Sequence, residues 1–526
     1  MPAVNLLDEP LFPVRWKPGI TPTSDAGPHG EVGLRALLEH AHEIETLTVS
    51  LPPAHSALLR ALYALTARVT GLDEAVEGPD DWLQRRDDLL AAGRLPVSGI
   101  DGYCVQRHDR FFLFDPGGRP WMQDPRLSHE CDKTAGVNKL MVTRSAGNNH
   151  SWFTHTQDSR AEPVSLSDAV MALLAWSFYG PSGKCSARTV NGTKSSQART
   201  GPLRGFLSYH PVGNTLFETL LAGLVPPKQH VRRDSDPCPW EQESLTNPEG
   251  APPPTTGPCS QLTGQGVHAL LLVPDGDVVA DAYITWSYRT KRSTVIDDDY
   301  LIWQVSAKEN RYARHADSSR ALWRDLDALL LIDPPGQASP RRPAVFEWAH
   351  EVSPDLGVRA LGFEQERDKV MDYQFVDAST PPVLGHLERR NAASSPAVGQ
   401  LRTVGEAFGR RLDMALRRAW RNYADAGKNN AAAPKEGNDK DIADAWAEEG
   451  AALYWPAAEQ EFWARFDRLG SSDPTAGGGL DLSATRSAFL RLALTAFEEA
   501  TRRVAGTQRG AQAVEAARPH LFGTPA

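Results

Sequence analysis

The spacing of apolar residues changes near residue 380, so the chain divides into two parts with different apolar periodicity. Beyond that point, apolar residues recur at helical spacing over long stretches. The helices predicted there cover residues 398–424, 439–452, 457–469, 483–504 and 509–517, with Ser483 as a capping residue. The links between them are rich in Gly and Asn, which is typical of antiparallel bundles. We therefore expect a C-terminal four-helix bundle over residues 381–526.

Residues 1–380 mix helical and strand-like patterns instead. The predicted helices cover residues 34–42, 54–70, 79–92, 167–176 and 215–224. The predicted strands cover residues 5–16 and 111–114, together with a hairpin formed by 268–273 and 278–286 around the turn PDGD. A proline-rich connection occupies residues 230–266. The chain as a whole is predicted to be α+β, with a large mixed α/β domain (1–380) before the bundle.

Composition narrows the classes of protein that the chain can belong to. It has 526 residues, 41% of them hydrophobic and 23% charged, and a formal net charge of −10. We expect a cytoplasmic protein, because no signal peptide and no apolar run of about 18 residues is present. The five scattered cysteines include no CxxC pair, so neither a metal nor another cofactor is expected. The negative charge argues against a free-standing nonspecific DNA binder, but not against local basic strips.

The stretch 180–205 stands out within this acidic chain. It carries five glycines, five basic residues and no carboxylate; the basic residues are Lys184, Arg188, Lys194, Arg199 and Arg204. Glycine lets backbone approach a ligand closely, and cationic side chains attract phosphate. We interpret the stretch as a loop laid against a nucleic-acid backbone. Composition alone favours the alternative, a mobile and solvated surface loop.

Catalytic motifs are not found in the sequence. It has no P-loop, no HExxH, no GxSxG and no GxGxxG after a strand. The acidic run Asp297 to Asp299 could hold Mg²⁺, although a solvated loop is the better explanation. His150 and His155 lack an acidic partner at metal-ligand spacing. The chain is therefore expected not to be an enzyme, with a stand-alone metal-dependent nuclease as the alternative.

Binding chemistry is better represented. Trp152 and Phe153 lie in a polar loop and would either enter the core or wedge against bases or a partner protein. A basic cluster, Arg289 with Lys291 and Arg292, follows the predicted hairpin. Five arginines lie off the apolar stripe of the helix 398–424, either as a solvated face or as phosphate contacts: Arg410, Arg411, Arg417, Arg418 and Arg421. Together these features favour contact with a polyanion.

Two motifs resemble those of a known family. The segment Asn5 to Val14 (NLLDEPLFPV) resembles the N-terminal signature of the CasA family, the large subunits of type I-E CRISPR surveillance complexes (Cascade). Arg119 to Gln123 (RPWMQ) resembles a second element of that family. The resemblance implies a non-catalytic subunit that reads the protospacer-adjacent motif in double-stranded DNA, helps to open the duplex and docks a helicase–nuclease. Its implied partners are the other Cascade subunits and crRNA, with no membrane.

The resemblance also implies site residues. The family's glycine loop corresponds to Asn191, Gly192, Thr193 and Lys194, with Arg199 adjacent, and its glutamine wedge to Gln365. The lysine finger is assigned to Lys291, with Arg289 as the alternative, and the aromatic of the early loop to Trp152 or Phe153. Arg410, Arg417 and Arg421 would guide DNA strands along the bundle. A purely structural scaffold subunit is the remaining alternative.

Overall fold

The computed structural model describes residues 4–523 except 21–28, 75–77, 116–117, 148–154, 229–230, 291–296, 307, 309, 332–340, 366–371, 388–394, 426–435 and 471–479. Trp152, Phe153 and Lys291 therefore lie outside the described residues, as do His150 and Arg292. The chain forms two compact units. The first contains residues 1–318 and 343–385, and the second contains 319–342 and 386–526. The predicted combination of a mixed first part and a helical C-terminal part is confirmed.

All described strands belong to the first unit. They are β1 (Phe12–Trp16), β2 (His29–Val32), β3 (Ile44–Leu47), β4 (Val164–Ser165), β5 (Gly183–Val190), β6 (Thr193–Ala198), β7 (Leu207–Val212), β8 (His268–Asp275), β9 (Val278–Trp286), β10 (Trp303–Val305), β11 (Arg311–Ala313), β12 (Gly357–Gln365) and β13 (Asp372–Ser379). They pair antiparallel in small sheets, with the orders β2-β1-β3, β4-β9-β8, β13-β12-β7, β5-β6 and β10-β11.

The described helices belong to both units. They are α1 (Leu34–Glu39), α2 (Pro52–Thr70), α3 (Pro79–Ala92), α4 (Val97–Arg107), α5 (Leu127–Glu130), α6 (Val137–Leu140), α7 (Leu166–Tyr179), α8 (Leu216–Ala222), α9 (Pro258–Thr263), α10 (Leu326–Leu330), α11 (Phe346–Ala349), α12 (Ser395–Asp425), α13 (Glu436–Gly470), α14 (Leu482–Ala505) and α15 (Gln508–Ala517). The second unit contains α10 and α12 to α15. No described helix is long and apolar enough to cross a membrane.

Helix α2 is the centre of the first unit. Nearly all of its side chains are buried, which follows from a composition dominated by Ala and Leu on every face. It packs against α7 and β12. Arg60 is also buried and forms two hydrogen bonds to Asp298, of 2.9 and 2.8 Å. An ion pair inside the core is tolerated because the two charges are paired with each other through these two hydrogen bonds.

The second unit differs from the prediction in three respects. The predicted helices 439–452 and 457–469 form one helix, α13, which continues through Pro456. Its buried face continues on both sides of the proline, so packing offsets the missing backbone hydrogen bond; the face includes Ala447, Tyr454, Ala458, Phe462 and Phe466. The cap of α14 is Asp481, whose carboxylate accepts from Ala484 N at 2.9 Å, not Ser483. Residues 319–342, predicted in the first domain, belong to this unit because Trp323 is buried against Phe462.

Candidate nucleic-acid interface

The segment 180–205 contains a β-hairpin, so the prediction of a loop is wrong. Strands β5 and β6 pair from Gly183 with Ala198 to Val190 with Thr193. Asn191 and Gly192 form the two-residue turn, with φ of 45° and 76°. Asn-Gly is the preferred sequence for a turn that needs positive φ at both positions, since its twist matches that of the strands. This local signal was present in the sequence, but the glycine and basic content favoured a loop.

The tip of this hairpin is exposed. We define the tip as Asn191, Gly192, Thr193 and Lys194, and all four residues are solvent-exposed. A Cβ atom built on Gly192 meets nothing within 4 Å, so the glycine serves the backbone conformation and not packing. The structure therefore presents the four predicted glycine-loop residues together, with backbone accessible to a ligand.

The hairpin is anchored to the rest of the unit by Arg188, which lies opposite Ser195 in the strand register; we call this buried anchor the base of the hairpin. Its guanidinium is fully buried and donates to Glu130 at 2.6 Å and to Asp124 at 2.8 Å. It also donates to the carbonyl oxygen of Trp286 at 3.1 Å and lies 5.3 Å from the ring centroid of that residue. Burial alone would raise the pKa of Asp124, but the hydrogen bond from Arg126 and the charges of Arg188 and Arg126 outweigh it and lower the pKa. Arg188 is thus a structural cation.

Two more of the five basic residues in the segment contribute mainly to structure. Arg204 is buried, donates to Tyr179 O at 2.8 Å and lies 5.0 Å from the ring centroid of Phe363. Arg199 is half-buried and donates to the carbonyl oxygen of Arg289. The prediction that this basic content faces phosphate is therefore wrong for Arg188 and Arg204. Their charges are used inside the fold because a buried guanidinium must keep all its partners.

Arg289 belongs to the same cluster as the tip. Its guanidinium donates to Thr193 O at 2.6 Å and lies 5.1 Å from the ring centroid of Trp286. Trp286 in turn donates from Nε1 to Ser195 O at 3.1 Å, so β9 supports β6 from below. Of the two lysine-finger candidates, Arg289 is thus placed beside the hairpin, whereas Lys291 lies outside the described residues.

Gln365 is the last residue of β12 and is half-buried. It lies next to Gly205, the end of the glycine-rich segment. A Cβ atom on Gly205 would be 3.6 Å from both Cβ and Oε1 of Gln365. Gly205 has a φ of 78°, which favours glycine at this close approach. The fold therefore places the predicted wedge against the same segment that carries the hairpin.

The arginines of α12 lie in the second unit and do not behave alike. Arg410 and Arg421 are exposed. Arg417 is half-buried, donates to Asp413 at 2.9 Å and forms a further ion pair with Asp444. These two hydrogen-bonded carboxylates raise the pKa of Arg417 above its ordinary value. Arg417 is therefore already paired within the bundle, while Arg410 and Arg421 present their side chains to solvent.

The acidic run is largely committed to arginines. Asp298 is buried and forms an ion pair with Arg60, so the expectation of a solvated loop is wrong for this residue. Asp297 accepts from Arg311 at 2.7 Å. Burial, followed by the charges of Asp298 and Asp297, raises the pKa of Asp299 to about 7. In the described part of the chain, no group of three or more His, Cys, Asp or Glu side chains has metal-binding geometry.

Sequence reasoning missed two acidic residues at the tip. Lys194 forms an ion pair with Asp132, and Asn191 Nδ2 donates to Glu249 Oε2 at 2.7 Å. Glu249 also lies 3.9 Å from the guanidinium of Arg289. Both carboxylates come from segments more than 50 residues away along the chain. No local pattern could have indicated these contacts.

Comparison with known proteins gives consistent results. The family described as CRISPR-associated protein Cse1 matches residues 5–502. A CRISPR-associated protein CasA/Cse1 from Thermus thermophilus is 28% identical over 384 residues, which are 70% of this chain and 69% of that protein. A solved chain described as a CRISPR RNA-guided surveillance complex is 35% identical, with a TM-score of 0.84 and coverage of 99% of this chain and 100% of that one. Cse1 from Acidimicrobium ferrooxidans is 21% identical and shares the fold, with a TM-score of 0.73 over 99% of this chain and 97% of that one.

Proposed function

The chain belongs to the CRISPR-associated Cse1 family, and from this membership we propose that it is the large, non-catalytic subunit of a type I-E RNA-guided surveillance complex. The relative at 35% identity supports the assembly, because it is described as a CRISPR RNA-guided surveillance complex and is covered end to end. The other complex subunits and crRNA are then its partners. Base pairing with the guide would supply sequence specificity, while this subunit reads a short flanking motif in double-stranded DNA.

The observation that carries motif reading is the exposed tip of the β5–β6 hairpin. Gly192 has no side chain and open space around it, so its backbone can approach the edges of base pairs. Lys194 supplies a positive charge next to this backbone. Minor-groove patterns are degenerate, so a backbone-led contact there suits a permissive motif. Arg289, which follows β9, donates to Thr193 O of the tip, and Arg199, which follows β6, donates in turn to the carbonyl oxygen of Arg289.

Duplex opening would begin at Gln365. Gln365 ends β12, where it pairs with Asp372 of β13, and its side chain is partly exposed. Its contact with Gly205 connects it to the segment that carries the tip. Motif reading and insertion between base pairs would therefore be coupled through one stretch of chain. Wedge side chains of this kind unstack a base step at a cost of about a few kcal/mol, offset by new protein contacts.

The helical unit would serve assembly. Arg410 and Arg421 are exposed on α12 and are the candidates for contact with DNA strands, whereas Arg417 is paired within the unit. We assign to this unit the packing against other subunits and the docking of the helicase–nuclease that degrades the target.

The experiment that tests motif reading compares Lys194→Ala with the exposed control Lys17→Ala in the complex assembled with crRNA and partner subunits. Binding is measured to guide-matched duplexes whose flanking base pairs are randomised. We expect Lys194→Ala to weaken binding to preferred flanks about tenfold and to reduce the slope of log K against log salt by about one. Equal binding of all flanks by the unaltered complex would leave a structural scaffold as the function.

A second experiment tests the proposed role of Gln365 as a wedge. Gln365→Ala should slow strand separation, which is measured by the fluorescence of a base analogue beside the motif, while leaving the initial duplex affinity within about twofold.

A nuclease assay tests the non-catalytic assignment: the isolated chain is incubated with DNA and Mg²⁺ or Mn²⁺. Cleavage that is lost in Asp299→Asn would overturn the non-catalytic assignment in favour of a metal-dependent nuclease.

A further inference from the structure

Two carboxylates, Asp132 and Glu249, contact side chains of the exposed tip, and we call them the tip carboxylates. We propose that they act as intramolecular counter-charges, which DNA must displace from Lys194 and Asn191 before the tip can bind. They would thereby weaken the affinity of the site for any duplex and shorten its residence on DNA that lacks the flanking motif. The inference rests on the proposed DNA-reading role of the tip.

The contacts occupy the groups that the tip would offer to DNA. The Lys194 ammonium pairs with Asp132, and the Asn191 amide donates to Glu249 at 2.7 Å. Glu249 also lies 3.9 Å from Arg289, the cation that supports Thr193. A carboxylate and a phosphate make the same demands on such donors, so the two compete for them.

Backbone hydrogen bonds hold both carboxylates at these positions. Asp132 N donates to Ala187 O at 3.2 Å, which attaches the end of α5 to strand β5. On the other side, Arg289 N donates to Pro248 O at 2.8 Å and Thr290 N donates to Gly250 O at 3.2 Å. Glu249 is therefore enclosed by two backbone bonds to the segment after β9. Both acidic side chains are placed by the fold and not by chance surface encounters.

The exposure of these pairs makes them exchangeable. The side chains of Lys194 and Asp132 are 59% and 50% exposed, and that of Glu249 is 37% exposed. Solvent-exposed ion pairs are weak, so phosphate can replace them without large loss. The remaining negative charge beside the tip then repels the DNA backbone. Because motif-free DNA is in large excess, a lower affinity per site leaves more of the complex free to search.

The test uses the assembled complex with Asp132→Asn, Glu249→Gln and the double variant. These changes keep shape and remove charge. The probe is a duplex with no guide match, and a guide-matched duplex with preferred flank is measured in parallel. We expect affinity for the unmatched duplex to rise about two- to fivefold for each variant and about tenfold for the double variant at low salt. The gain should shrink as added salt screens the charges.

Two controls separate the explanations. Asp87→Asn removes an exposed carboxylate on α3, and its effect should be under about 1.5-fold. In a Lys194→Ala background, the effect of Asp132→Asn should fall to about half, because the group it covers is gone. If Asp87→Asn raised the affinity for the unmatched duplex equally, or if the gain from Asp132→Asn were undiminished in the Lys194→Ala background, the effect would come from overall charge. The inference would then be overturned.

A fall in affinity on neutralising the tip carboxylates would also be informative. If the tip carboxylates served to position Lys194 and Asn191 for binding, the neutral variants would bind preferred flanks less tightly, and the inference would be wrong. Failure of the proposed function looks different, since Lys194→Ala would then leave binding of every duplex unchanged. Thermal unfolding of each variant within about 2 °C of the unaltered chain verifies that the fold is kept.

Discussion

The buried base and the exposed tip of the β5–β6 hairpin use cationic residues in opposite ways. At the base, Arg188 is fully buried and satisfied by Asp124, Glu130 and a carbonyl oxygen. At the tip, Lys194 is exposed and has one carboxylate partner. The two residues are six positions apart in a stretch that looks uniformly basic. Charge alone therefore indicates neither role, and burial decides between them.

The difference follows from desolvation. A buried guanidinium loses its hydration and is stable only with every partner in place, so the base of the hairpin has one arrangement. An exposed ammonium keeps much of its water and exchanges partners at little cost. A rigid base with an exchangeable tip suits the proposed reading of DNA, because the base would fix position while the tip contacts the ligand. The following predictions test this contrast from the largest expected effect to the smallest.

Arg188→Ala should have the largest effect. It leaves Asp124 and Glu130 without their shared cation inside the protein, so we expect a loss of about 3–5 kcal/mol in the free energy of unfolding. Urea denaturation of the full chain measures it, and Arg94→Ala, at an exposed position, should change stability by less than about 0.5 kcal/mol. A similarly small loss in Arg188→Ala would remove the distinction between base and tip.

Acid should lower the free energy of unfolding through His268, which contacts the chain just before β5. This residue donates from Nε2 to Pro181 O at 3.0 Å, and burial lowers its pKa to about 4 from 6.5. Because the pKa of His268 is lower in the folded state than in the unfolded state, the folded state binds this proton only at lower pH. Stability is complete above about pH 6.5 and falls as the pH drops toward 4, by at most about 3 kcal/mol from this group.

The measurement compares the free energy of unfolding between pH 7 and pH 4 in the unaltered chain and in His268→Gln. The variant cannot titrate at this position, so its curve should fall less steeply. Other buried histidines, such as His55, whose burial lowers the pKa to about 3, contribute equally to both curves. Parallel curves would contradict the assignment of this acid sensitivity to His268.

Gly192→Ala should have an intermediate effect, located at the tip. No neighbouring atom would clash with the new methyl group, so the expected loss of about 1–2 kcal/mol comes from the φ of 76° alone. Gly102→Ala is the matched control, since Gly102 lies within α4 with equally open space around it. There the same substitution should stabilise by about 0.5–1 kcal/mol. Equal signs for the two substitutions would refute the left-handed turn.

The elements were more predictable from sequence than the contacts. Helix α2 and the β8–β9 hairpin follow from apolar periodicity and a turn signal, which are properties of neighbouring residues. The β5–β6 hairpin carried an equally local signal in Asn191 and Gly192, but overall composition was given more weight than that dipeptide. Helix α13 passes through Pro456 because packing outweighs a local rule.

The site was less predictable for a physical reason. The tip residues and Gln365 were predicted as site residues through family resemblance and stay predictions, and the fold places Gln365 beside Gly205. The partners of the cations could not be identified, because ion pairs depend on distances across the folded chain. Arg60 and Asp298 are 238 residues apart, and Asn191 and Glu249 are 58 apart. Whether a given arginine faces solvent or a carboxylate is therefore decided by tertiary structure.

Trp286→Phe should have the smallest effect and tests the connection between base and tip. The tryptophan ring lies beneath both Arg188 and Arg289, and its N–H donates to Ser195 O. Phenylalanine keeps an aromatic ring and loses that hydrogen bond, so we expect a loss of about 1 kcal/mol. Hydrogen exchange of the β6 amides should accelerate about fivefold. Trp82→Phe removes a comparable bond, to Leu72 O, and should leave β6 exchange unchanged. If Trp286→Phe were as damaging as Arg188→Ala, the hairpin would be held by this hydrogen bond and not by the buried charge at its base.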